Sequence, residues 1–403
     1  MSESSYKEYS YSVPSTNLLN DESTPEASHK QDYLERLLEL YGVYVDVTGV
    51  YEGCSVTRYD LKAKPGTRLC EIYEMKEDLE CQLAAGPIRI EKATPDDPTI
   101  GIEVPKEELR RYLIREMIES EEYKSADTPS IAIGKDNSGK VVMADLSMMS
   151  PLLIGGTTGS GKSMFIHSLI ISILYKSSPE DVQLILVDTK GTELGIYSGI
   201  PHLPVKPFKQ AQEAIEMLKW AVQEMDRRYR IFEDKGLRDI EDYNQYVGAN
   251  HKDFRKLPHI VIIIDEYADL IIEKNDDVEE SICRLAQLSR LAGIHLIIST
   301  QRPSYDILTG LIKANMSNRI AFAASNVEDS ESILSQEGAE CLLGHGDMLF
   351  YPRYQTKPLR IQGAFVSDEE VSNVVEYLKG MAQRTSFNNP LSDNAELTKL
   401  ENP

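Results

Sequence analysis

The second part of the chain alternates short, wholly apolar runs with longer segments of helical periodicity. The apolar runs are LILVD (184–188), HIVIIID (259–265), HLIIST (295–300) and RIAFAA (319–324). Uninterrupted apolar runs of this length are typical of strands that are buried on both faces. The segments that predict helices lie near 163–176, 209–234, 277–292 and 368–384. Over about 128–385, the pattern therefore predicts an α/β fold with a mostly parallel sheet.

The preceding segment contains strands of a different kind, in which apolar and polar residues alternate. This alternation occurs in VYVDVTGVY (43–51) and SVTRYDLK (55–62). The other predicted elements are a helical stripe at 33–41, a helix near 69–84, a strand near 88–93, and a helix from Pro105 with Leu109, Leu113, Met117 and Ile118 on one face. Together these elements predict a small α/β domain.

The chain of 403 residues is long enough for two domains that each bury a core. We place the small α/β domain at 31–119 and the larger domain at 120–385. The flanking segments 1–30 and 386–403 are polar and lack an apolar period, so they are predicted to be disordered tails.

A glycine-rich sequence follows the apolar run Leu152–Ile154 and precedes a helical segment. It fits the phosphate-binding pattern G-x-x-x-x-G-K-[ST], and its residues are Gly156, Thr157, Thr158, Gly159, Ser160, Gly161, Lys162 and Ser163. The glycines let several backbone N–H groups face an anion, and the following helix adds the positive end of its dipole. Lys162 is expected to reach the β- and γ-phosphates, and Ser163 to ligate Mg²⁺. The sequence therefore predicts a nucleoside triphosphate site.

Two acidic residues end the apolar run at 259–265, about a hundred residues after this loop. Asp265 is expected to hold Mg²⁺, and Glu266 to orient and polarise the attacking water as general base. An acidic strand end that faces solvent is the alternative interpretation. The order of the two motifs favours the catalytic one, because each supplies the context that the other needs.

Two further strand ends carry polar residues whose roles the sequence leaves open. Gln301 is placed to sense the γ-phosphate or the water, because ligands of parallel sheets lie at the carboxyl ends of strands. A polar residue that merely ends the strand is equally compatible with the pattern. The residues Asp188, Thr189 and Lys190 fit a nucleotide-proximal element, a subunit contact or a solvated loop.

Two basic features also have both a functional and a structural interpretation. Arg319 fits an arginine that stabilises transition-state charge in a neighbouring subunit, with Arg302 as the rival, or an ion-pair partner at a strand end. The run MDRRYR (225–230) fits contacts to DNA phosphates. The solvated face of an amphipathic helix is the favoured interpretation of that run.

The net charge of −22 argues against a protein that coats DNA, because such binding depends on Lys and Arg. Any DNA contact is therefore expected at a few local basic loops. No run approaches the roughly 18 apolar residues of a membrane helix, so no span is predicted. The five cysteines are scattered without a C-x-x-C pair, which predicts reduced thiols and a cytoplasmic location.

Taken together, the motifs resemble those of the FtsK/SpoIIIE family of DNA translocases over about 31–385. The similarity rests on GGTTGSGKS (155–163), IIIDEYADL (262–270), RLAQLSRLAGIHLIISTQRPS (284–304) and GHGDMLF (344–350). It implies a RecA-like P-loop NTPase motor domain preceded by the family's small α domain. It also implies ATP and Mg²⁺ as cofactors, and a homohexameric ring that pumps double-stranded DNA in chromosome segregation or DNA transfer. In that comparison the catalytic residues are Lys162, Glu266, Gln301 and Arg319, the last acting in trans.

The sequence departs from familiar members of this family in several places. No membrane domain or sequence-reading γ domain is visible, and the usual Asp-Pro-Lys strand end reads Asp188-Thr-Lys190. The loop SNVEDSES (325–332) is acidic where familiar members are basic. We therefore expect DNA contact at Arg353 and Lys357 of YPRYQTK (351–357). The alternative function is a conjugation coupling or protein-secretion ATPase of the same superfamily.

Overall fold

Two sheets organise the chain in the computed structural model, which describes residues 11–20, 31–93, 98–106, 110–149, 151–249 and 255–384. One sheet has four strands and the other has nine. The predicted tail at 386–403 lies outside the described residues, as do residues 1–10 and 21–30 of the other predicted tail.

The four-stranded sheet is antiparallel and has the order β1-β2-β4-β3. Its strands are β1 Val45–Glu52, β2 Val56–Ala63, β3 Arg89–Glu91 and β4 Ile100–Pro105. Three helices accompany it: α1 Gln31–Leu40, α2 Leu69–Glu74 and α3 Lys76–Gln82. Leu34, Leu61, Ile72 and Ile102 meet in its core, so these elements form a domain with its own apolar centre.

The nine-stranded sheet has the order β6-β5-β13-β12-β11-β7-β10-β9-β8. The strands are β5 Ser130–Asp136, β6 Val141–Asp145, β7 Leu152–Gly155, β8 Val182–Val187, β9 His259–Ile264, β10 Ile294–Thr300, β11 Asn318–Phe322, β12 Asp347–Tyr351 and β13 Leu359–Gln362. The five strands from β11 to β8 are parallel, and the other four join antiparallel. The predicted α/β class, with a preceding small domain, is confirmed.

Both faces of the large sheet are covered, which explains its uninterrupted apolar strands. Leu152 and Ile154 of β7 face one hydrophobic core and Leu153 faces the other. The helices of this domain are α4 Ile114–Glu119, α5 Glu121–Ser125, α6 Lys162–Lys176, α7 Ala211–Lys235, α8 Ile240–Gly248, α9 Tyr267–Leu288, α10 Gly310–Asn315, α11 Val327–Leu334 and α12 Asp368–Arg384.

The segment 11–20 contradicts the prediction of a disordered tail over 1–30. Leu19 is buried in the core of the large domain. The Tyr11 hydroxyl donates to the carbonyl of Leu174 at 2.7 Å, and the Asn20 N–H donates to Glu370 at 2.8 Å. The sequence did not predict this docking because the segment has few apolar residues. It contributes single side chains to a surface that other elements form.

The segment after β4 also differs from prediction. No helix begins at Pro105, which ends β4, and residues 107–109 lie outside the described chain. The helix α4 begins at Ile114, and Met117 and Ile118 are buried in the large domain's core. The boundary between the domains therefore falls before Tyr112 rather than after residue 119.

A buried group of charges joins the two domains. Glu103 of β4 lies at its centre and is fully buried. Its carboxylate accepts from Arg89 at 3.2 Å, and from Arg360 of β13 at 2.9 Å. Arg360 also donates to Asp347 at 2.7 Å. The small domain is thus held against the antiparallel half of the large sheet by paired charges.

Candidate nucleotide-binding site

The phosphate loop occupies the turn between β7 and α6, as predicted. Its tight path depends on Gly161, whose φ is +105°. A Cβ at this position would lie 2.3 Å from the nitrogen of Gly346, so any larger residue would displace one of the two loops. The Ser160 hydroxyl donates to the Thr157 carbonyl at 2.7 Å and the Thr157 hydroxyl donates to the Ala323 carbonyl at 2.9 Å. The loop is therefore held in shape by its own side chains.

Lys162 is buried at the first turn of α6, with its side chain directed toward the neighbouring strands. Its ammonium group donates to the Ser299 hydroxyl at 2.8 Å and to the Asp265 carbonyl at 3.3 Å. It also lies 3.5 Å from Asp265 Oδ1. The sheet order explains this contact, because β10 pairs with β7 and β9 pairs with β10.

Asp265 follows β9 and has the properties of a magnesium ligand. It is buried, and its Oδ1 has no hydrogen-bond partner within the described chain. Burial raises the pKa of its carboxyl group, while Lys162 and Lys190 oppose that rise. A divalent cation at Oδ1 would add to the positive charge of Lys162 and favour the ionised form of the carboxyl group. Ser163 is partly exposed at the first turn of α6, and its role as a hydroxyl ligand stays a prediction.

The described residues contain no group of three or more His, Cys, Asp or Glu side chains with metal-binding geometry. Magnesium commonly binds to one or two carboxylates together with phosphate oxygens and water. A single aspartate and a serine beside a phosphate loop therefore fit this metal.

Glu266 is the N-cap residue of α9 and is fixed by groups that lie at or beyond the ends of β10 and β8. Its Oε1 accepts from the Thr300 hydroxyl at 2.7 Å. The Gln301 N–H lies 3.2 Å from both carboxylate oxygens, and Lys190 Nζ lies 3.3 Å from Oε2. The side chain is buried next to Asp265, and its role as general base stays a prediction.

The structure connects Gln301 to the phosphate loop, because its Oε1 accepts from the Thr158 hydroxyl at 2.9 Å. Sequence reasoning missed the contacts made by Ser299 and Thr300. Their signal was available, since both lie in the same polar strand end as Gln301. The sequence leaves Lys190 open between a nucleotide-proximal element, a subunit contact and a solvated loop, and its contact with Glu266 favours the first of these.

The rest of the segment after β8 is structural. The Asp188 carboxylate accepts from the backbone N–H groups of Gly191, Glu193 and Leu194. The Thr189 hydroxyl donates to Asp269 at 2.7 Å. Asp188 therefore shapes the turn that carries Lys190 to Glu266.

Arg319 lies near the amino end of β11, at the sheet edge opposite the phosphate loop. Its guanidinium donates to the carbonyls of Met316, Ile333 and Lys313, and to the Ser335 hydroxyl. Arg319 is thus remote from the site of its own chain, and its action in trans stays a prediction. The rival Arg302 is exposed next to Gln301.

The two predicted DNA contacts differ in their surroundings. Arg353 is exposed in the turn between β12 and β13, next to Tyr354, which is 80% exposed. Lys357 instead lies 3.1 Å from Glu91 of the small domain. Their contact with DNA stays a prediction, and of the two only Arg353 is exposed.

Two other charged segments, the acidic 325–332 and the basic 225–230, lie mainly within helices. The acidic segment 325–332 is mainly helical rather than a loop, since Asn326 caps α11 by accepting from the Asp329 N–H at 2.8 Å. In MDRRYR, Arg228 is fully buried and donates to the carbonyls of Pro258 and Ala292. It supports the fold and is inaccessible to DNA.

The fold and the site define a P-loop nucleotide-binding domain. A parallel sheet brings the phosphate loop, a buried lysine and an Asp-Glu pair to one edge, and a mixed extension connects this sheet to a small antiparallel domain. These features define the class of protein, and several families within that class share them.

Sequence comparison distinguishes among those families. The FtsK alpha domain matches residues 13–106 and the FtsK/SpoIIIE family matches residues 113–305. The chain is 47% identical over 388 residues to a DNA translocase FtsK of Clostridium tetani, covering 94% of this chain and 52% of that protein. It is 45% identical over 383 residues to the DNA translocase SpoIIIE of Bacillus subtilis, covering 91% and 48% respectively. The chain belongs to the FtsK/SpoIIIE family, which confirms the resemblance of the motifs.

A solved structure of similar fold is the pCW3 conjugation coupling protein TcpA, in its monomer form with ATPγS. Its TM-score is 0.59 at 21% identity, covering 87% of this chain and 99% of TcpA. Identity at this level shows a shared fold alone. The chain spans about half the length of the translocases that it matches. Within the described ranges, no helix combines the length and apolarity that crossing a bilayer requires.

Proposed function

We propose that this chain is the ATP-hydrolysing motor of a double-stranded DNA translocase, with Mg²⁺ as its metal cofactor. The observation that carries the proposal is the meeting of four features at one sheet edge. These are the phosphate loop, the buried Lys162, the Oδ1 of Asp265, which accepts no hydrogen bond, and the oriented Glu266. The family membership adds the expectation that hydrolysis is coupled to movement along DNA.

Each residue has a defined task in this proposal. Lys162 neutralises phosphate charge, and its hydrogen bond to Ser299 holds its ammonium group at the carboxyl ends of the strands, beside the phosphate loop. Asp265 and Ser163 would hold the magnesium ion, which when bound neutralises charge on the β- and γ-phosphate oxygens. Glu266 accepts the proton of the attacking water, and Thr300 fixes the orientation of its carboxylate. Gln301 links the position of that carboxylate to the phosphate loop.

We further propose that the motor works in the cytoplasm as a homohexameric ring. Arg319 supports this arrangement, because it lies at the opposite sheet edge from the phosphate loop of its own chain. Two exposed apolar side chains, Tyr305 and Leu311, follow Gln301 in sequence and offer a surface for a neighbouring subunit. In such a ring the site of one subunit would be completed by the arginine of the next.

The decisive experiment is an ATPase assay with and without long duplex DNA, together with mass measurement in solution at several salt concentrations. We expect duplex DNA to stimulate turnover and the binding of DNA to weaken as salt rises. Unchanged turnover in the presence of duplex DNA would reject the DNA motor and favour the conjugation coupling or secretion alternative.

The hydrolytic role of Glu266 is tested by Glu266→Gln. We expect turnover to fall at least a hundredfold while ATP still binds, because the variant keeps the side-chain shape but loses the proton acceptor. The matched control is Glu337→Gln, which changes a carboxylate that is 56% exposed and pairs with Lys92. Equal turnover in the Glu266 variant and wild type would indicate that another group activates the water.

The DNA contact is tested by Arg353→Ala. We expect binding to weaken uniformly across DNA sequences and the slope of log affinity against log salt to fall by about 1. Arg68, which is 76% exposed in the small domain, provides the control variant Arg68→Ala. An unchanged salt slope in the Arg353 variant would remove this residue from the contact surface.

A further inference from the structure

Two neighbouring residues of the turn after β8 are attached to the start of α9. The Thr189 hydroxyl donates to the Asp269 carboxylate at 2.7 Å. The next residue, Lys190, donates from Nζ to Glu266 Oε2 at 3.3 Å. Asp269 lies three residues after Glu266, and residues at this spacing are close together at the start of a helix. The turn is therefore joined to α9 at two points, and one of them is the proposed general base.

Lys190 contacts the carboxylate oxygen of Glu266 that the Thr300 hydroxyl does not. Thr300 donates to Oε1 at 2.7 Å, whereas the Gln301 N–H lies 3.2 Å from both oxygens. The terminal torsion of a glutamate side chain has broad minima, so a short contact to one oxygen leaves the plane of the carboxylate loosely defined. The charge-assisted contact from Lys190 to Oε2 defines that plane from the other side.

The lysine side chain needs a fixed backbone if it is to hold this position. Lys190 is 38% exposed, and an ion pair made by a long exposed side chain contributes little, because ordering that side chain costs entropy. The Asp188 carboxylate restrains the later part of the turn by accepting from three backbone N–H groups. The hydrogen bond from Thr189 to Asp269 restrains the residue directly before Lys190.

The sequence of this turn also indicates that residue 189 acts on the backbone. Familiar members of the family have a strand end that reads Asp-Pro-Lys, whereas this chain reads Asp188-Thr189-Lys190. Proline restricts its own φ and has no N–H. Among the described residues, no backbone carbonyl accepts a hydrogen bond from the Thr189 N–H, so this position does not require an N–H group. A proline ring and a hydroxyl bonded to α9 are therefore two ways of restraining the same turn.

We infer that Thr189 and Asp269 are positioning residues for hydrolysis, which act by holding Lys190 against the carboxylate of Glu266. This inference rests on the proposed function, because it presumes that Glu266 is the general base. It adds that the rate of hydrolysis depends on a hydrogen bond between two side chains that have no task in binding the nucleotide or the metal.

The inference is tested by steady-state ATPase kinetics of the full chain with duplex DNA, together with calorimetric titration of Mg-ADP. We expect Thr189→Ala and Asp269→Ala each to lower kcat by about three- to tenfold, which corresponds to one hydrogen bond, and to leave the affinity for Mg-ADP unchanged. Thr189→Ser keeps the hydroxyl and Thr189→Pro restrains the backbone, so both should keep kcat within about twofold of wild type. Thr192→Ala, at an exposed position of the same turn, is the matched control and should change neither quantity.

A double substitution shows whether the hydrogen bond acts through Lys190. Lys190→Met should lower kcat by about tenfold, and the addition of Thr189→Ala should lower it no further, because no ammonium group remains to be held. Equal losses from Thr189→Ala in both backgrounds would indicate a merely structural role and would overturn the inference. Unchanged kcat in Thr189→Ala or Lys190→Met, or a Thr189→Pro variant as slow as Thr189→Ala, would overturn it as well.

Glu266→Gln separates this inference from the proposed function. Unchanged turnover in that variant would reject the role of Glu266 in the proposed function. A hundredfold loss of turnover in Glu266→Gln, together with wild-type kcat in Thr189→Ala, would overturn the inference alone. A loss of Mg-ADP affinity in Thr189→Ala in place of the loss of kcat would also overturn it, because a positioning residue for the base acts on the rate and not on binding.

Discussion

The buried carboxylate of Glu103 is predicted to make the association of the two domains dependent on pH. Burial alone would raise its pKa, but Arg89, Arg360 and Arg58 overcome this effect and lower it from 4.5 to about 2. At about 1.4 kcal/mol per pKa unit, this lowering corresponds to about 3 kcal/mol of stability at neutral pH. Glu103→Gln should therefore destabilise the chain at pH 7 by about 3 kcal/mol, or somewhat more because it leaves buried arginines unpaired.

The sign of the pH effect follows from the direction of the shift. Because the pKa is lower in the folded state, the stabilisation is complete above the unfolded value of 4.5 and is lost as pH falls toward 2. The difference in stability between wild type and Glu103→Gln should therefore shrink by about 2 kcal/mol between pH 7 and pH 3. Contributions from carboxyl groups that are remote from this ion-pair network cancel in the difference.

The assay is urea unfolding at pH 7, 5, 4 and 3. Far-UV circular dichroism follows the whole chain, and fluorescence of Trp220, the single tryptophan, follows the large domain. The exposed interdomain pair of Lys92 and Glu337 provides the control, since Glu337→Gln should cost less than about 1 kcal/mol at every pH. A wild-type-to-Glu103→Gln difference that is the same at pH 7 and pH 3 would refute the assignment of this stability to the ionised carboxylate.

Three further predictions concern the loop, the general base and the N-terminal segment. Gly161→Ala should weaken ATP binding at least tenfold in calorimetry and should melt at a lower temperature than Gly159→Ala. Both glycines have a positive φ, but of these two positions only 161 brings an added Cβ into a clash. Equal melting temperatures of the two variants would refute the clash. Thr300→Ala should lower kcat several-fold in steady-state kinetics and leave ATP affinity unchanged, since it removes one hydrogen bond to Glu266 that contributes about 1 kcal/mol. Thr300→Ser keeps the hydroxyl and should restore kcat. A loss of ATP affinity in place of the loss of kcat would contradict the positioning role. Leu19→Ala should destabilise the large domain by about 2–3 kcal/mol in thermal melting, whereas Val13→Ala, at an exposed position, should not, and an unchanged melt for both would contradict the docking of this segment.

Local sequence predicted the elements that carry the chemistry, and the structure places them as expected. The phosphate loop and the Asp265-Glu266 pair follow strands whose apolar runs are unmistakable, because strands covered on both faces contain little else. The sequence did not single out the antiparallel strands β5, β6, β12 and β13. The strands β6 and β13 are partly exposed, and the strands β5 and β12 are mostly buried but contain only short apolar runs. The docking of residues 11–20 was missed for a related reason, because few of their side chains are apolar.

What the sequence determined by itself was the identity of the reacting groups, since a phosphate loop and an acidic strand end are each local and each require specific residue types. Only the tertiary structure decided which groups meet. In the folded chain Lys190 and Thr300 contact Glu266, and Arg228 is fully buried. Arg319 lies at the sheet edge opposite the phosphate loop. The order of strands across a sheet is independent of their order along the chain. Contacts between strand ends therefore depend on packing that no local pattern encodes.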